Sequence, residues 1–333
     1  MSAVATLRED DLIAAIRRLL DGASNARVRV GIGDDAAVWQ PSRSHRSVIT
    51  SDALIEGVHF NRSWMNDREI GVRAMIANVS DLAAMGARPV LGTVALGFPK
   101  AFAVDDVLEL YRGMLAVAGQ VGLAIVGGDL TRAPVLTISI AVVGEVRQSN
   151  LKLRSGARAG DAIVTTGMLG ASRAGLDLLR GRITLEAALA QAALLAYRTP
   201  QVRLREGLWL AASANVHAMI DCSDGLSTDL GRLCAASNVG AAIVEVPIAP
   251  AAAAAARALG TPETDYALAG GEDFELIAAV APRALTYLTA RFRARFGRQL
   301  YRIGEIRAGT GLQLRIDDRD VSLAVTGYDH FGE

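Results

Sequence analysis

The pattern of apolar and polar positions predicts alternating strands and helices. The first 22 residues space apolar side chains three and four apart, which is typical of an amphipathic helix. Two β-like runs follow, "ARVRVGIGDDAAVW" and "RSVITSDALIEGVHF", and both contain acidic residues after their apolar part. The segment "DREIGVRAMIANVSDLAAMGARP" then predicts a long helix that is closed by Gly86 and Pro89.

The same alternation continues to about residue 150. It predicts a strand in "VLGTVALGFP", a helix from about Val104 to Val121, and strands in "LAIVGGD" and "VLTISIAVVGEV". The next segment, "RQSNLKLRSGARAGD", is polar, contains glycine and lacks an apolar period. We therefore expect one domain over residues 1–149 and a second over residues 150–333.

The second half repeats this organisation. "DAIVTTG" predicts a strand, and the stretches after it predict a helix, an alanine- and leucine-rich helix to about Tyr197, and another helix after Pro200. "VHAMIDCSDGLSTDLGRLCAASNVGAAIVEV" indicates strand, acidic turn, helix and strand, and "APAAAAAARALG" favours a helix. "YALAGGEDFELIAAV" indicates a loop that leads into a strand. Strands and helices alternate in both halves, so we predict an α/β fold class.

Composition narrows the classes of function. The 333 residues are 51% hydrophobic and 21% charged, which is typical of folded α/β proteins rather than disordered chains. Basic and acidic residues balance at 35 each, so no overall field attracts nucleic acid or an anionic membrane. Apolar runs are too short to span a bilayer, and the N-terminus does not resemble a signal peptide. We expect a cytoplasmic protein with neither nucleic acid nor membrane as a partner.

Several familiar motifs are missing from the sequence. There is no GxxxxGK[ST], no GxGxxG, no GxSxG elbow, no HExxH and no protein-kinase signature. Cys222 and Cys234 lie twelve residues apart without a CxxC motif, which argues against a zinc site or a disulfide framework. Any nucleotide chemistry must therefore use another kind of site.

Short apolar runs end repeatedly in carboxylates. Each one alone is typical of a turn or a helix cap. Together they favour one crevice at the ends of several strands, in which cations separate the like charges. Oxygen ligands, with the hydroxyls of Thr50, Ser51 and Ser223, suit Mg²⁺ or Mn²⁺, and the turn at Gly127 and Gly128 suits an anion. The acidic residues are Asp34, Asp35, Asp52, Asp81, Asp129, Asp221, Asp224, Glu272 and Asp273.

At these motifs the chain resembles the thiamine-monophosphate kinases, a family of the aminoimidazole ribonucleotide synthetase superfamily. The resemblance runs from about residue 30 to residue 331, and no single motif carries it. The motifs are, in order, "GIGDDAAV", "TSDALIEGVHF", "NVSDLAAMGARP", "IVGGDLTR", "LRSGARAGD", "IDCSDGLSTDLG", "AGGEDFEL" and "GYDHF".

The resemblance implies a fold, an activity and partners. The implied fold has two α/β domains with mixed sheets. The N-terminal sheet pairs across a homodimer and carries the ATP and Mg²⁺ site, and the C-terminal domain completes that site. The implied activity is the conversion of thiamine monophosphate to thiamine diphosphate, the last step of thiamine diphosphate biosynthesis, with ATP as co-substrate and several Mg²⁺ ions.

The resemblance also assigns roles to individual residues. It implies no residue that acts as a general acid, a general base or a nucleophile. The implied magnesium ligands are Asp35, Thr50, Ser51, Asp52, Asp81, Asp129, Asp221 and Asp224. The implied nucleotide contacts are Tyr111, Gly128, Asp129, Arg154 and Ser223. The implied contacts to thiamine monophosphate are His59, Glu272 and Tyr328.

Transfer to a phosphate group needs positioning and charge neutralisation more than proton transfer. A phosphate with a second pKa of about 6 is already largely dianionic at neutral pH, so direct in-line transfer is expected. Two alternatives stay open: another ATP-using member of the superfamily, such as aminoimidazole ribonucleotide synthetase or a hydrogenase-maturation protein, and a non-catalytic nucleotide-binding dimer. For His59, Tyr328 and Phe331, ordinary packing is the alternative to ligand binding.

Overall fold

The protein is described by a computed structural model that covers residues 9–20, 25–32 and 35–328. The chain divides into two compact units, Met1–Leu82 with Ala87–Gln148 and Ala83–Gly86 with Ser149–Glu333. Asp34 and Phe331, which the sequence analysis considered, lie outside the described residues.

The first unit is built on a four-stranded sheet in the order β3-β6-β4-β5. β4 and β5 run parallel, and the other two pairs of strands are antiparallel. A separate two-stranded ladder joins β1 and β2. In chain order the elements are α1 (Glu9–Leu20), β1 (Val28–Val30), β2 (Val38–Trp39), β3 (His45–Ile55), α2 (Asp67–Ala84), β4 (Arg88–Phe98), α3 (Val104–Val121), β5 (Ala124–Arg132) and β6 (Thr137–Arg147).

Alternation along the strands separates the two faces of this sheet. Ile138 and Ile140 on β6 are at most 1% exposed because they lie on the face that forms the core of this unit. Ile49 on β3 belongs to the other face and is 70% exposed. The apolar side of α2 packs against the core face, and its residues Met75 and Val79 are fully buried.

The second unit contains a seven-stranded mixed sheet in the order β13-β12-β9-β11-β7-β10-β8. Its core combines side chains of the sheet with the buried face of α7. In chain order the elements are β7 (Ala162–Thr165), α4 (Ala171–Leu179), α5 (Ala187–Arg198), α6 (Leu204–Ala211), β8 (Val216–Cys222), α7 (Leu226–Ser237), β9 (Gly240–Ile243), α8 (Pro250–Leu259), α9 (Glu263–Leu268), β10 (Glu275–Val280), α10 (Pro282–Phe296), β11 (Tyr301–Arg307), β12 (Leu312–Ile316) and β13 (Arg319–Leu323).

The predicted α/β class with mixed sheets is confirmed. The predicted helix from Val104 to Val121 has the bounds of α3. The loop predicted over "YALAGG" is wrong in its first part, because Tyr266 and Leu268 lie in the short helix α9 and are buried. None of the helices in the described parts of the chain has the length and apolar character that crossing a bilayer requires.

Candidate active site

Three of the predicted magnesium ligands in the first unit lie on or against β3. The Thr50 hydroxyl donates a hydrogen bond to Asp81 Oδ2 on α2, with the two oxygens 2.5 Å apart. The backbone N–H of Asp52 donates to Asn78 Oδ1, also on α2, at 3.1 Å. Thr50 and Asp52 share one face of β3 because they are two residues apart. The structure therefore gathers Thr50, Asp52 and Asp81 on the core face of the sheet.

Asn78 is a neighbour of these predicted ligands that the sequence analysis missed. It lies three residues before Asp81, so both project from the same side of α2. Asn78 Nδ2 donates to Ala74 O at 3.1 Å, which leaves Oδ1 to accept from Asp52. The spacing of Asn78 and Asp81 in "NVSD" was the available signal.

Asp129 belongs to the opposite edge of the same sheet. Asp52 pairs with Ile140, and Ile140 pairs with Val94, in a row that ends at Gly128. Asp129 follows in the next row, which contains Ala95, Ser139 and Ala53. Three strand spacings of about 4.8 Å put the two edges about 14 Å apart. Within one chain, the width of the sheet thus separates Asp129 from Asp52.

Ser51 shares the outer face with Asp129, but it lies on β3. It pairs with Ala141, two rows away from Asp129, and it is exposed. Asp35 is exposed in the connection between β1 and β2, and the neighbouring Asp34 lies outside the described residues. The remaining predicted ligands of the first unit therefore lie away from α2: Ser51 and Asp129 on the outer face of the sheet, and Asp35 in this connection.

His59 has a defined tautomer in the turn after β3. Its Nδ1 accepts a hydrogen bond from the backbone N–H of Ile55 at 3.1 Å, so the neutral ring carries its proton on Nε2. This arrangement makes Nε2 a donor that suits a phosphate or another acceptor. The half-buried position of His59 is compatible with both alternatives of the sequence analysis, packing and ligand binding.

Tyr111 is placed differently from the other predicted nucleotide contacts. It lies on α3 and is only 4% exposed, within the core of the first unit. Burial raises the pKa of its hydroxyl well above the ordinary value. The structure thus gives Tyr111 a packing role and offers little of its side chain to a nucleotide.

In the second unit, Asp221 lies at the end of β8, and Ser223 and Asp224 lie in the loop between β8 and α7. Asp229, in the first turn of α7, orders this loop. Its Oδ2 accepts from the backbone N–H groups of Ser223 at 3.0 Å, Asp224 at 2.9 Å and Gly225 at 3.2 Å. Burial raises the pKa of Asp229 to about 6, although these donors favour its ionised form. The acidic first turn of α7 was the signal for this residue, which the sequence analysis missed.

Arg232 supplies the positive charge next to this loop. Its Nη1 forms ion pairs with Asp224 Oδ2 and, at 3.0 Å, with Asp229 Oδ1. Asp221 is buried at the end of β8, where it pairs with Leu276 of β10. The predicted ligands Asp221 and Asp224 are thus three residues apart, one at the end of β8 and one in the ordered loop after it, and Asp224 has a cationic neighbour.

The "GGEDF" segment lies directly against this loop. The backbone N–H of Glu272 donates to Ser223 O at 2.6 Å. The backbone N–H of Tyr328, whose side chain is 48% exposed, donates to Asp224 O at 3.1 Å. Backbone hydrogen bonds therefore join predicted nucleotide, metal and substrate residues of the second unit.

Arg154 lies beside the strand that leads to Asp221. Leu153 O accepts from Met219 N at 3.3 Å, and Arg154 O accepts from the Ser237 hydroxyl at 2.6 Å. Ser237 is the last residue of α7, so it anchors the loop of Arg154 at the far end of that helix. The Arg154 side chain is exposed and remains available to an anion.

The oxygen ligands of the first unit and those of the second unit both fit magnesium. Carboxylate and hydroxyl oxygens of Thr50, Asp52 and Asp81 are hard ligands of the type that Mg²⁺ prefers. Within residues 9–20, 25–32 and 35–328, no three His, Cys, Asp or Glu side chains form a group that could hold a metal ion, and the Thr50 group contains only two such residues beside its hydroxyl. Cys222 and Cys234 are buried free thiols.

Comparison with known proteins places the chain in a family. The AIR synthase related protein family matches with its N-terminal domain over residues 33–146 and its C-terminal domain over residues 158–317. A thiamine-monophosphate kinase of Synechococcus elongatus is 37% identical over 308 residues, which cover 90% of this chain and 91% of the relative. The chain belongs to the thiamine-monophosphate kinase family.

Solved structures agree with this membership of the family. The crystal structure of thiamine-monophosphate kinase from Stenotrophomonas maltophilia has a TM-score of 0.81 and 35% identity, and the match covers 92% of this chain and 96% of that chain. The structure of AaThiL complexed with AMPPCP and TMP has a TM-score of 0.75 and 29% identity, with coverage of 98% and 99%. The family therefore extends over both units of the fold.

Proposed function

We propose that this protein transfers the γ-phosphoryl group of ATP to the phosphate of thiamine monophosphate. The products are thiamine diphosphate and ADP. The observation that carries the proposal is the ordered segment from Asp221 to Asp224, with the Glu272 segment bonded to it, in a chain whose family acts on this substrate. A relative complexed with AMPPCP and TMP supports the same pair of substrates.

The magnesium ligands in this proposal are those of the sequence analysis. Thr50, Asp52 and Asp81 would hold a metal on the core face of the first unit, and Asp221 and Asp224 would do so in the second unit. Bound Mg²⁺ would neutralise the phosphate oxygens of both substrates. Asp35, Ser51 and Asp129 complete the proposed set of ligands. Gly128, Asp129, Arg154 and Ser223 are the proposed nucleotide contacts, and Tyr111 is left out of this set because it is buried.

The substrate end would use His59, Glu272 and Tyr328. The Nε2–H of His59 can donate to the phosphate of thiamine monophosphate. The cationic thiazolium ring is attracted by a carboxylate such as Glu272 and by an aromatic face such as Tyr328, an effect worth about 0.5 to 2 kcal/mol. The exposure of Tyr328 allows such stacking.

The transfer would be direct and in line. A phosphate oxygen of thiamine monophosphate forms the new P–O bond while the bond between the γ-phosphorus and the bridging oxygen breaks, and the electron pair leaves with ADP. The acceptor is already ionised at neutral pH, so no side chain has to remove a proton. Accumulation of a phosphorylated protein from labelled ATP alone would contradict this mechanism.

A homodimer is part of the proposal, because one copy of the sheet keeps Asp129 about 14 Å from Asp52. β3 and β5 are the edge strands, and the outer face of the sheet exposes Ile49, Thr93 and Ala95. Two copies paired with β3 of one copy next to β5 of the other would bring the partner copy's Asp129 to the strand that carries Asp52. The N-terminal domain would then serve both ATP binding and dimerisation, in a cytoplasmic enzyme.

The decisive experiment is a product assay with purified protein. Incubation with ATP, Mg²⁺ and thiamine monophosphate should yield stoichiometric ADP and thiamine diphosphate, and EDTA should stop the reaction. Asp52→Asn should reduce turnover by at least about 100-fold, because removal of one transition-state charge contact costs that much. ATP hydrolysis without thiamine diphosphate would refute the proposed function.

A further inference from the structure

The segment of residues 270–274 has an unusual backbone. Glu272 and Phe274 adopt φ angles of 64° and 50°, in the left-handed region that L side chains rarely occupy. A segment with two such residues keeps its conformation only when its surroundings determine it. The contacts that fix residues 270–274 therefore decide where Glu272 lies.

One side of the segment is bonded to the end of β8. The N–H of Glu272 donates to Ser223 O at 2.6 Å, and the N–H of Phe274 donates to Cys222 O at 2.9 Å. A Cβ atom on Gly271 would lie 2.7 Å from Ser223 O, so only glycine permits this approach. These contacts set the distance of the segment from the acidic loop.

The other side of the segment is held by Asp273. Its Oδ2 accepts from the Gly170 N–H at 2.6 Å, and its Oδ1 accepts from the Ser172 N–H at 3.3 Å. Gly170 is the N-cap of α4 and Ser172 lies in its first turn, where backbone N–H groups have no partner within the helix. The carboxyl group of Asp273 thus caps a helix that is distant in sequence.

We propose that Asp273 is a positioning residue for the thiamine-monophosphate end of the site. It touches α4 and acts on the substrate through its neighbour Glu272, whose left-handed backbone it stabilises. This inference rests on the proposed function, which assigns Glu272 to thiamine monophosphate. It predicts that Asp273 affects this substrate selectively and leaves ATP binding unchanged.

The test is Asp273→Asn, an isosteric change. The amide keeps one acceptor oxygen, but its NH₂ group then faces an N–H donor of Gly170 or Ser172, so one of the two bonds is lost. We expect the KM for thiamine monophosphate to rise roughly tenfold, as displacement of a positioned contact commonly costs. The KM for ATP should stay within about twofold of the wild-type value.

A double variant shows whether the effect passes through Glu272. Glu272→Gln alone should raise the KM for thiamine monophosphate, and Asp273→Asn added to it should raise this KM little further. Independent residues would multiply their effects instead. Asp273→Ser, which keeps one acceptor on a shorter side chain, serves as the second single variant if Asp273→Asn does not fold.

The matched control is Asp177→Asn in the same helix. Asp177 is buried and accepts from the Tyr266 hydroxyl at 2.7 Å, so its loss should lower the melting temperature without a selective change in KM. If the Asp273 variants change both KM values equally, or lower only the melting temperature, the positioning role is refuted. Multiplicative effects in the double variant also refute it. A wild-type protein that makes no thiamine diphosphate would instead overturn the proposed function, and this inference with it.

Discussion

Asp52 and Asp129 lie at opposite edges and on opposite faces of the four-stranded sheet. Asp52 occupies a row with the buried residues Ile140 and Val94, whereas Asp129 occupies the next row with the exposed Ala95. Both residues end apolar segments that look alike in the sequence. Because of this separation, the homodimer proposed above draws the two carboxylates of a shared metal site from two copies of the chain.

This separation predicts complementation between inactive variants. Asp52→Asn and Asp129→Asn should each be nearly inactive as homodimers. In a mixed dimer, one of the two sites would combine an intact Asp52 with an intact Asp129 from the other copy. Random pairing in an equal mixture should therefore restore about a quarter of wild-type activity. The measurement is turnover after the two variants are unfolded and refolded together.

The control pairs Asp52→Asn with Asp81→Asn. Both residues belong to the Thr50 group of one chain, so each site of the mixed dimer would lack one of them, and no activity should return. Equal recovery in both mixtures, or recovery in neither, would contradict the two-copy arrangement of Asp129.

Substitution by alanine should destabilise the protein at Gly128 but not at the neighbouring Gly127. A Cβ atom at Gly128 would lie 1.8 Å from Val94 O, whereas a Cβ atom at Gly127 meets nothing within 4 Å. Gly128→Ala should lower the free energy of unfolding by at least about 2 kcal/mol, and Gly127→Ala should change it by less than about 0.5 kcal/mol. Urea unfolding of the two variants checks this prediction, which equal stabilities would contradict.

Glu145 should make the first unit sensitive to acid. Its buried carboxylate accepts from the Ser42 N–H at 2.8 Å and forms an ion pair with Arg27. Burial by itself would raise the pKa of Glu145, but the bonds from Ser42 and the charge of Arg27 outweigh burial, so its pKa lies below the ordinary value of 4.5. A lowered carboxyl pKa stabilises the folded state above the unfolded-state pKa, and this stabilisation is lost as the pH falls through the folded-state pKa.

The test compares the free energy of unfolding of wild type and Glu145→Gln from neutral pH down to about pH 3. The wild type should be the more stable protein at neutral pH, and its advantage should shrink as the pH falls below 4.5. Glu109→Gln removes the exposed pair with Arg112 and should keep the wild-type pH dependence. An advantage of the wild type that grows in acid would show that the sign is wrong.

Glu275 holds the start of β10 through buried charges. Arg203 binds both of its carboxylate oxygens at 2.8 Å, and the Thr166 hydroxyl donates to it at 2.6 Å. Glu275→Gln leaves the guanidinium of Arg203, whose side chain is only 11% exposed, without its counter-charge. The free energy of unfolding should fall by about 3 kcal/mol.

An exposed ion pair provides the control for the Glu275 variant. Glu263 forms an ion pair with Arg257, and their side chains are 39% and 64% exposed. Glu263→Gln should cost less than about 1 kcal/mol, because water already screens this pair. Denaturation by urea measures both variants, and equal losses would contradict the assignment of the Glu275 effect to burial.

Much of the fold followed from local patterns. The apolar period gave α3 its bounds, and the alternation in "VLTISIAVVGEV" indicated β6. The short helix α9 was not predicted because its six residues lie between a proline and the "AGG" turn, where turn residues dominate the local pattern. The burial of Tyr111 could not be predicted from the sequence either, because it depends on how α3 packs in the first unit.

By itself, the sequence determined the kinds of elements, the oxygen-rich chemistry of the acidic motifs and the membership of the family. Those properties depend on residue type and on spacing over a few positions. Only the tertiary structure decided that β3 and β5 are opposite edges, that Asp129 faces away from Asp52, and that Asp273 caps α4. Local periodicity states which side of its own strand a residue occupies, but which strand lies next to it depends on hydrogen bonds between segments that are far apart in the chain.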